Sequence, residues 1–403
     1  MKLSIKTLTV CALAAATFAT PVMAARRTGL ANNLLILDKD DVFFFPQALL
    51  KYRNLINFDY GAGSGDGSGM LLLGQPDFGF GLLINRADAT QAMLSADTLG
   101  ALVTSQRDYE LGQLGVPANP YAGSFVAPST LIDALLAFSL GGDSSMGFRL
   151  GIGNGQNYSK PAGGGGENND SQFTLKLTGG FTSGDFDASA DIFLASGGTV
   201  AGGSDQFSGT MFGLTTLIRG FSPMGDKIDL GYLGQLGFAN WALTNSPAND
   251  TASRINFGLM GGLGPRYHLE SMNATVAAYA ALAFGYSSFD PSSEGSNDEV
   301  NNTQFVLPGA RMSLEASLTN WLIFRSGMEY FFSFTSQSDE PGNEQSGRFG
   351  NQDGSFGWNA GLGVVVDQLT IDGSFSHAWL TQGPDFIGGD SQLFTMVSAT
   401  YTF

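Results

Sequence analysis

Four charged residues in one stretch carry the clearest chemical pattern in this chain of 403 residues: Arg311, Glu315, Arg325 and Glu329. Each Arg stands four positions from a Glu, an even spacing that puts both on one face of an extended chain. If Thr319, Asn320 and Trp321 form the turn between two antiparallel strands, Arg311 faces Glu329 and Glu315 faces Arg325. Cross-strand pairs of opposite charge contribute roughly 0.2–1 kcal/mol each in ordinary sheets. Two chemistries fit: a self-neutralising ladder that braces a wall, and one side of a charged constriction in a passage. Lys176, Arg254, Arg266 and Asp372 have the same inward parity, as do Arg149, Asp187, Asp191, Arg219, Lys227 and Asp229. Acid gathers elsewhere. Glu294, Asp298, Glu299, Asp339 and Glu340 lie between strand candidates and would form an acidic rim that concentrates cations. Screening over about 8 Å at physiological salt limits its reach inward.

Other chemistries find little support. The chain has only two histidines, His268 and His377, and His377 sits on an outward, aromatic face in Ser376-His377-Ala378-Trp379. The Gly run 163–166 opens no helix and is followed by no Lys, so it does not read as a phosphate cradle. The Asp/Asn-rich stretch 296–302 does not match a spaced calcium-ligand loop. The single cysteine, Cys11, falls in the N-terminal leader, which leaves no thiol for redox or zinc chemistry. No enzyme, metal or cofactor is expected.

The elements that must position these residues are strands. In 303–336, Val306, Met312, Leu314, Leu318, Leu322, Phe324, Met328 and Tyr330 share the face opposite the four charges. In 354–366, Phe356, Trp358, Leu362 and Val364 oppose Ser355, Gly357, Asn359 and Gly361. The chain ends on Tyr401-x-Phe403, with Leu393, Val397 and Ala399 on the same side as these rings. Thirteen strand candidates run from 131 to 403. Their connections alternate between short (141–144, 183–185, 221–226, 269–271, 319–321, 367–368) and long (156–170, 196–206, 244–252, 289–302, 337–353, 381–390). Three earlier candidates, 52–60, 70–75 and 78–86, leave fourteen or sixteen strands for an even, closed ring, fourteen if the region before Phe78 is a plug. Aromatics collect at both ends: Trp321, Tyr401 and Phe403 on the short-turn side, Trp358 and Trp379 on the long-loop side.

Two segments break the rhythm. Residues 87–130 form a long irregular insertion, and an insertion of that length is usually functional; it would fold into a lumen as a constriction or outside it as a flap. Residues 25–51 hold two apolar runs around Asp38-Lys39-Asp40-Asp41, and Pro46 argues against a central strand. They read as a periplasmic or plug-like lead-in.

Composition narrows the class. Formal charge is −17, which argues against nucleic acid and against docking on anionic lipid. Charged residues are 14%, aromatics 12%, and glycine reaches 56 of 403, about double the usual ~7% share. Residues 1–24 read as a signal peptide: Lys2 and Lys6, an apolar stretch from Leu8 to Ala19, then Val22-Met23-Ala24 as a small-residue cleavage site. No later stretch has the ~18 unbroken apolar residues of a spanning helix. An exported, strand-rich chain without a helical span fits a closed barrel, the other structure that satisfies its backbone in hydrocarbon.

The leader, the strand-and-loop rhythm and the terminal aromatic together resemble the porin-like β-barrels of Gram-negative outer membranes. The resemblance implies an all-β, up-and-down antiparallel barrel of fourteen to sixteen strands, covering 52–403. It also implies short periplasmic turns and long external loops. Its partners would be outer-membrane lipid and the barrel-insertion machinery, which reads the C-terminal strand, and porins are often homo-oligomers. The function it implies is passive diffusion of small hydrophilic solutes through a water-filled lumen. A second resemblance is to the long-chain fatty-acid transporter type, with 30–50 as its plug and Met211, Leu217, Tyr279 and Phe331 lining an apolar path. A non-conducting adhesive or structural barrel is the third reading.

Overall fold

The computed structural model describes residues 25–61, 67–85, 130–159, 168–201, 204–245, 250–290, 300–339, 343–346, 356–375 and 394–403. Alternation decides the architecture. In β5 (Ser144–Ser159), Met146, Phe148, Leu150 and Ile152 are exposed, while Gly147, Arg149 and Gly151 between them are buried. A sheet apolar on its outside can hide its edges from hydrocarbon only by closing on itself. This one closes. After β1 (Leu55–Gly61), β2 (Gly67–Gly74), β3 (Phe78–Ile84) and β4 (Thr130–Gly141), the wall rises through β5 and β6 (Asn168–Ser183). It continues through β7 (Phe186–Ala201), β8 (Ser204–Pro223), β9 (Ile228–Asn245), β10 (Asp250–Leu269) and β11 (Ala274–Asp290). Then come β12 (Val300–Ser317), β13 (Leu322–Asp339), β14 (Asn343–Ser346), β15 (Gly357–Val366), β16 (Leu369–Phe375) and β17 (Phe394–Thr402).

Neighbours are antiparallel throughout, and β17 returns to pair with β1, Leu55 opposite Thr402. Among the described residues β14 pairs with Ser336–Asp339 at the far end of β13, whereas β15 pairs along Leu322–Glu329. β14 is thus an appendage, and the ring has sixteen strands. The fourteen-strand option fails because 52–75 is not plug: β2 pairs with both β1 and β3.

Register reproduces the parity of the charged hairpin, with Arg311 opposite Glu329 and Glu315 opposite Arg325. One assignment changes higher on β12. The pairing shifts between Val306 and Gly309, where Pro308 cannot donate to a ladder. The extra residue reverses parity, so Val306 stands opposite Ala283 and Phe305 becomes the outward residue, its ring 5.0 Å from that of Phe284. Period-two counting cannot see a bulge.

Candidate functional site

The lumen is filled at its short-turn end by the N-terminal segment. A short helix, α1 (Ala25–Gly29), is followed by 3-10 turns at Lys39–Phe43 and Pro46–Leu50. Local chemistry sets both turns. The Asp38 carboxylate accepts from the Asp40 N–H, and Asp41 accepts from the Asp38 N–H, closing a capping box. Pro46 opens the second turn, where a missing N–H loses nothing. The apolar runs on either side of the acidic stretch thereby converge. Leu34, Leu35, Val42, Phe43, Phe45 and Leu49 are all buried, packed in one cluster with Leu72, Leu83, Leu135 and Ala137 of the wall.

The ion pairs anticipated as a luminal lining clasp this plug. Arg325 Nε donates to Glu315 Oε2 at 2.6 Å, and Arg26 of α1 donates to both Glu315 oxygens at 2.8 Å. Arg26 also reaches Asp38 at 2.8 Å, and Arg325 reaches Asp372. Arg311 holds Glu329 at 2.6 Å, the Tyr279 hydroxyl at 3.0 Å and the Asn32 carbonyl. On the opposite arc, Arg219 bridges Asp187 at 2.6 Å and Asp41 at 2.9 Å and donates to the Leu34 carbonyl, while Asp41 also binds Arg27. Arg149 pairs with Asp133 at 2.7 Å and donates to the Phe43 carbonyl. Each of these four wall arginines is neutralised by a wall carboxylate; Arg311, Arg219 and Arg149 also donate to plug carbonyls, and Arg325 meets the plug through Glu315, which Arg26 shares.

Burial alone would push the Asp38 carboxyl up, but Arg26, Lys39 and Arg27, with the Asp40 N–H, outweigh it. They hold Asp38 well below the usual carboxylate range. Arg26 is likewise held charged: its own burial opposes ionisation, and Asp38 and Glu315 more than offset that.

Where charge does not hold the plug, missing side chains make room for it. A Cβ on Gly147 would overlap the Gln47 nitrogen and the Pro46 carbonyl carbon, both main chain. One on Gly327 would overlap the backbone between Leu30 and Ala31. Close backbone approach of this kind is open only to glycine.

The remaining expected sites divide as follows. Lys176 pairs within the wall with Asp191 at 3.6 Å, and Arg266 with Asp229 at 2.6 Å. Register sets Arg254 opposite Trp241 and Phe289, far up β10 from the plug. Of the acidic rim, Glu294, Asp298, Glu299 and Glu340 lie outside the described residues, and Asp339 ends β13. Trp321 and Phe403 are exposed at the short-turn end, where the Tyr401 hydroxyl donates to Gln368 at 2.7 Å. Trp358 is the second residue of β15, at the end away from the short 367–368 turn. It stands opposite Met328, the seventh residue of β13, and its indole N–H is satisfied by Ser326 Oγ at 3.0 Å. Trp379, His377, residues 1–24 and nearly all of 87–130 fall outside the described residues. The other histidine, His268, joins a hydrogen-bond ladder, 3.2 Å from Asp229 and 3.4 Å from Thr275. Arg26, Asp38, Asp41 and Gln47 are the site residues that strand parity missed. Their signal was a charged, non-alternating stretch between Leu- and Phe-rich runs.

No family model matches the chain, and no curated protein does. Among solved structures it is similar to a Pseudomonas aeruginosa FadL homologue, at 13% identity and a TM-score of 0.41, covering 96% of this chain and 100% of that one. It is also similar to the Ralstonia pickettii toluene transporter TbuX, at 9% identity and 0.39, covering 95% and 99%. A third is the P. aeruginosa siderophore receptor PirA, at 10% and 0.31, covering 87% and 80%. Likeness this distant does not bear on what this barrel carries, which rests on its own geometry.

Proposed function

We propose that this chain is an outer-membrane barrel of a Gram-negative bacterium that passes small hydrophobic ligands inward past a luminal plug. The observation that carries this reading is the plug itself. Residues 25–52 sit inside the ring, with a core continuous with the wall, where a diffusion pore for hydrophilic solutes needs open water. The wall chemistry supports it too. Water-filled barrels have polar interiors, yet Leu217, Leu233, Met260, Tyr279, Ala281 and Ala283 make an apolar inner stripe across β8–β11. The outward belt, including Phe80, Phe148, Leu150, Phe173 and Leu263, supports the membrane location, and the alternating loop lengths support a periplasmic plug end. The N-terminal leader supports export.

Single-channel recording in planar bilayers tests the proposal. The intact protein is expected to show no steady ohmic steps, and deletion of 26–52 is expected to open them. Proteoliposomes carrying the intact protein should take up a fluorescent hydrophobic probe faster than empty vesicles. Steady open steps from the intact protein would return the reading to a diffusion pore.

A further inference from the structure

Ala25 opens α1 from a buried position, 1% exposed, and its nitrogen stands 2.8 Å from Ser398 Oγ. Ser398 is the middle of one rung across three strands: register sets it opposite Asp59 of β1 on one side and Asp372 of β16 on the other. Both carboxylates are buried, at 2% exposure each. Two acids therefore flank the hydroxyl that holds the Ala25 nitrogen.

The cations near them are already shared. Asp372 binds Arg325, which also serves Glu315. Lys39 interacts with Asp40, Asp38, Asp59 and Asp372 together. Among the described residues Lys39 and Arg325 are thus each divided among several carboxylates, and a buried charge needs close compensation away from water. Immediately before Ala25 stands Val22-Met23-Ala24, the small-residue pattern of a leader cleavage site.

We propose that Asp59, Ser398 and Asp372 form a seat for the α-ammonium group created when the leader is cut between Ala24 and Ala25. In that step water adds across the peptide bond. Its oxygen goes to the Ala24 carbonyl carbon, giving a carboxylate, and the Ala25 nitrogen leaves as an amine that is protonated near neutral pH, its usual pKa being about 7.7–8.0. One neutral N–H becomes three charged donors, one for Ser398 and one for each flanking acid. An uncut chain brings one amide N–H and no charge to the same place. Leader removal thus adds a positive charge between the two acids, and the plug seats more firmly in the processed chain than in its precursor.

The test uses the full chain, expressed with its leader and purified from membranes in detergent. Intact mass is expected to give a chain starting at Ala25, and any other start overturns the proposal. Reductive dimethylation of the α-amine in the folded barrel is expected to be at least about tenfold slower than after denaturation, the effect of roughly one unit in amine pKa. Asp59→Asn should move the midpoint of labelling rate against pH downward toward the ordinary amine value. Equal labelling of folded and denatured wild-type protein overturns the seat, and does so even if Asp59→Asn fails to insert.

Discussion

The two halves of the plug are held by different physics. From Ala25 to Asp41 the contacts that stand out are charges, added to the buried Leu30, Leu34 and Leu35: Arg26 with Asp38 and Glu315, and Asp41 with Arg219 and Arg27. From Phe43 to Tyr52 they are shapes. Gln47 fits between Gly147 and Gly180, and Leu49 lies against Gly79 and Gly81, with Leu72 and Leu135 beside it. Two arginines cross the boundary, Arg149 through the Phe43 carbonyl and ring and Arg219 over the Phe45 ring at 4.6 Å. A half held by charge responds to removal of a distant partner or to protonation. A half held by shape responds to added volume and is indifferent to pH. One segment thus has two independent ways of coming loose.

The largest expected effect comes from removing one charge. Arg219→Met leaves the buried Asp41 with Arg27 alone and takes its arginine from the half-buried Asp187, and breaking one side of a buried pair typically costs about 3–5 kcal/mol. The unfolding midpoint in detergent should fall accordingly, with 25–41 becoming the new site of protease cleavage. A loss under about 1 kcal/mol, the scale of an exposed pair, would mean the arginine merely decorates the wall.

Next comes volume. Gly147→Ala sets a methyl against main-chain atoms of Pro46 and Gln47 that cannot rotate away, whereas Gly79→Ala meets the tip of the Leu49 side chain, which can. Overpacking costs typically about 1–3 kcal/mol, so Gly147→Ala should fall in that range and Gly79→Ala below it. Cleavage should now appear within 43–52. Equal midpoints for the two variants would show that the second half yields as a body, and the contrast with the charged half would lose its basis.

The outside of this barrel was legible in the sequence and the inside was only half so. Alternation, loop sorting and the C-terminal strand depend on local spacing, and they fixed the strands and the facing of Arg311 on Glu329. What Arg311 faces across the lumen depends on a segment nearly 280 positions away, and no local period encodes that. The plug was readable as apolar runs around an acidic cluster, but not its partners. Pro308 hints at a bulge, yet the parity reversal that places Phe305 outward appears only once three strands are in register. The glycine excess pointed to strands. Its second use, clearing space for a plug backbone, shows only where Gly147 and Gly327 meet that backbone.

Protonation should produce the smallest effect in the physiological range, and its sign is fixed. Asp38 is charged in the folded state down to a pH well below that of a free carboxyl, because Arg26, Lys39 and Arg27 outweigh its burial. A carboxyl depressed on folding contributes stability that is fully present above its unfolded value, about 3.9, and is lost as pH falls toward the folded one. Lowering pH from 7 to 5 should therefore leave the charged half docked. At pH 3 the unfolded state has taken up a proton that the folded state has not, and the clasp begins to weaken. Hydrogen exchange, corrected for intrinsic rate, should show amides of 27–41 losing protection at pH 3 while those of 43–51 keep theirs. Loss of protection between pH 7 and 5 would place control of the plug in a group titrating near neutrality rather than in the Asp38 clasp. Parallel loss in both halves would show that the plug leaves as one piece, whichever contacts hold it.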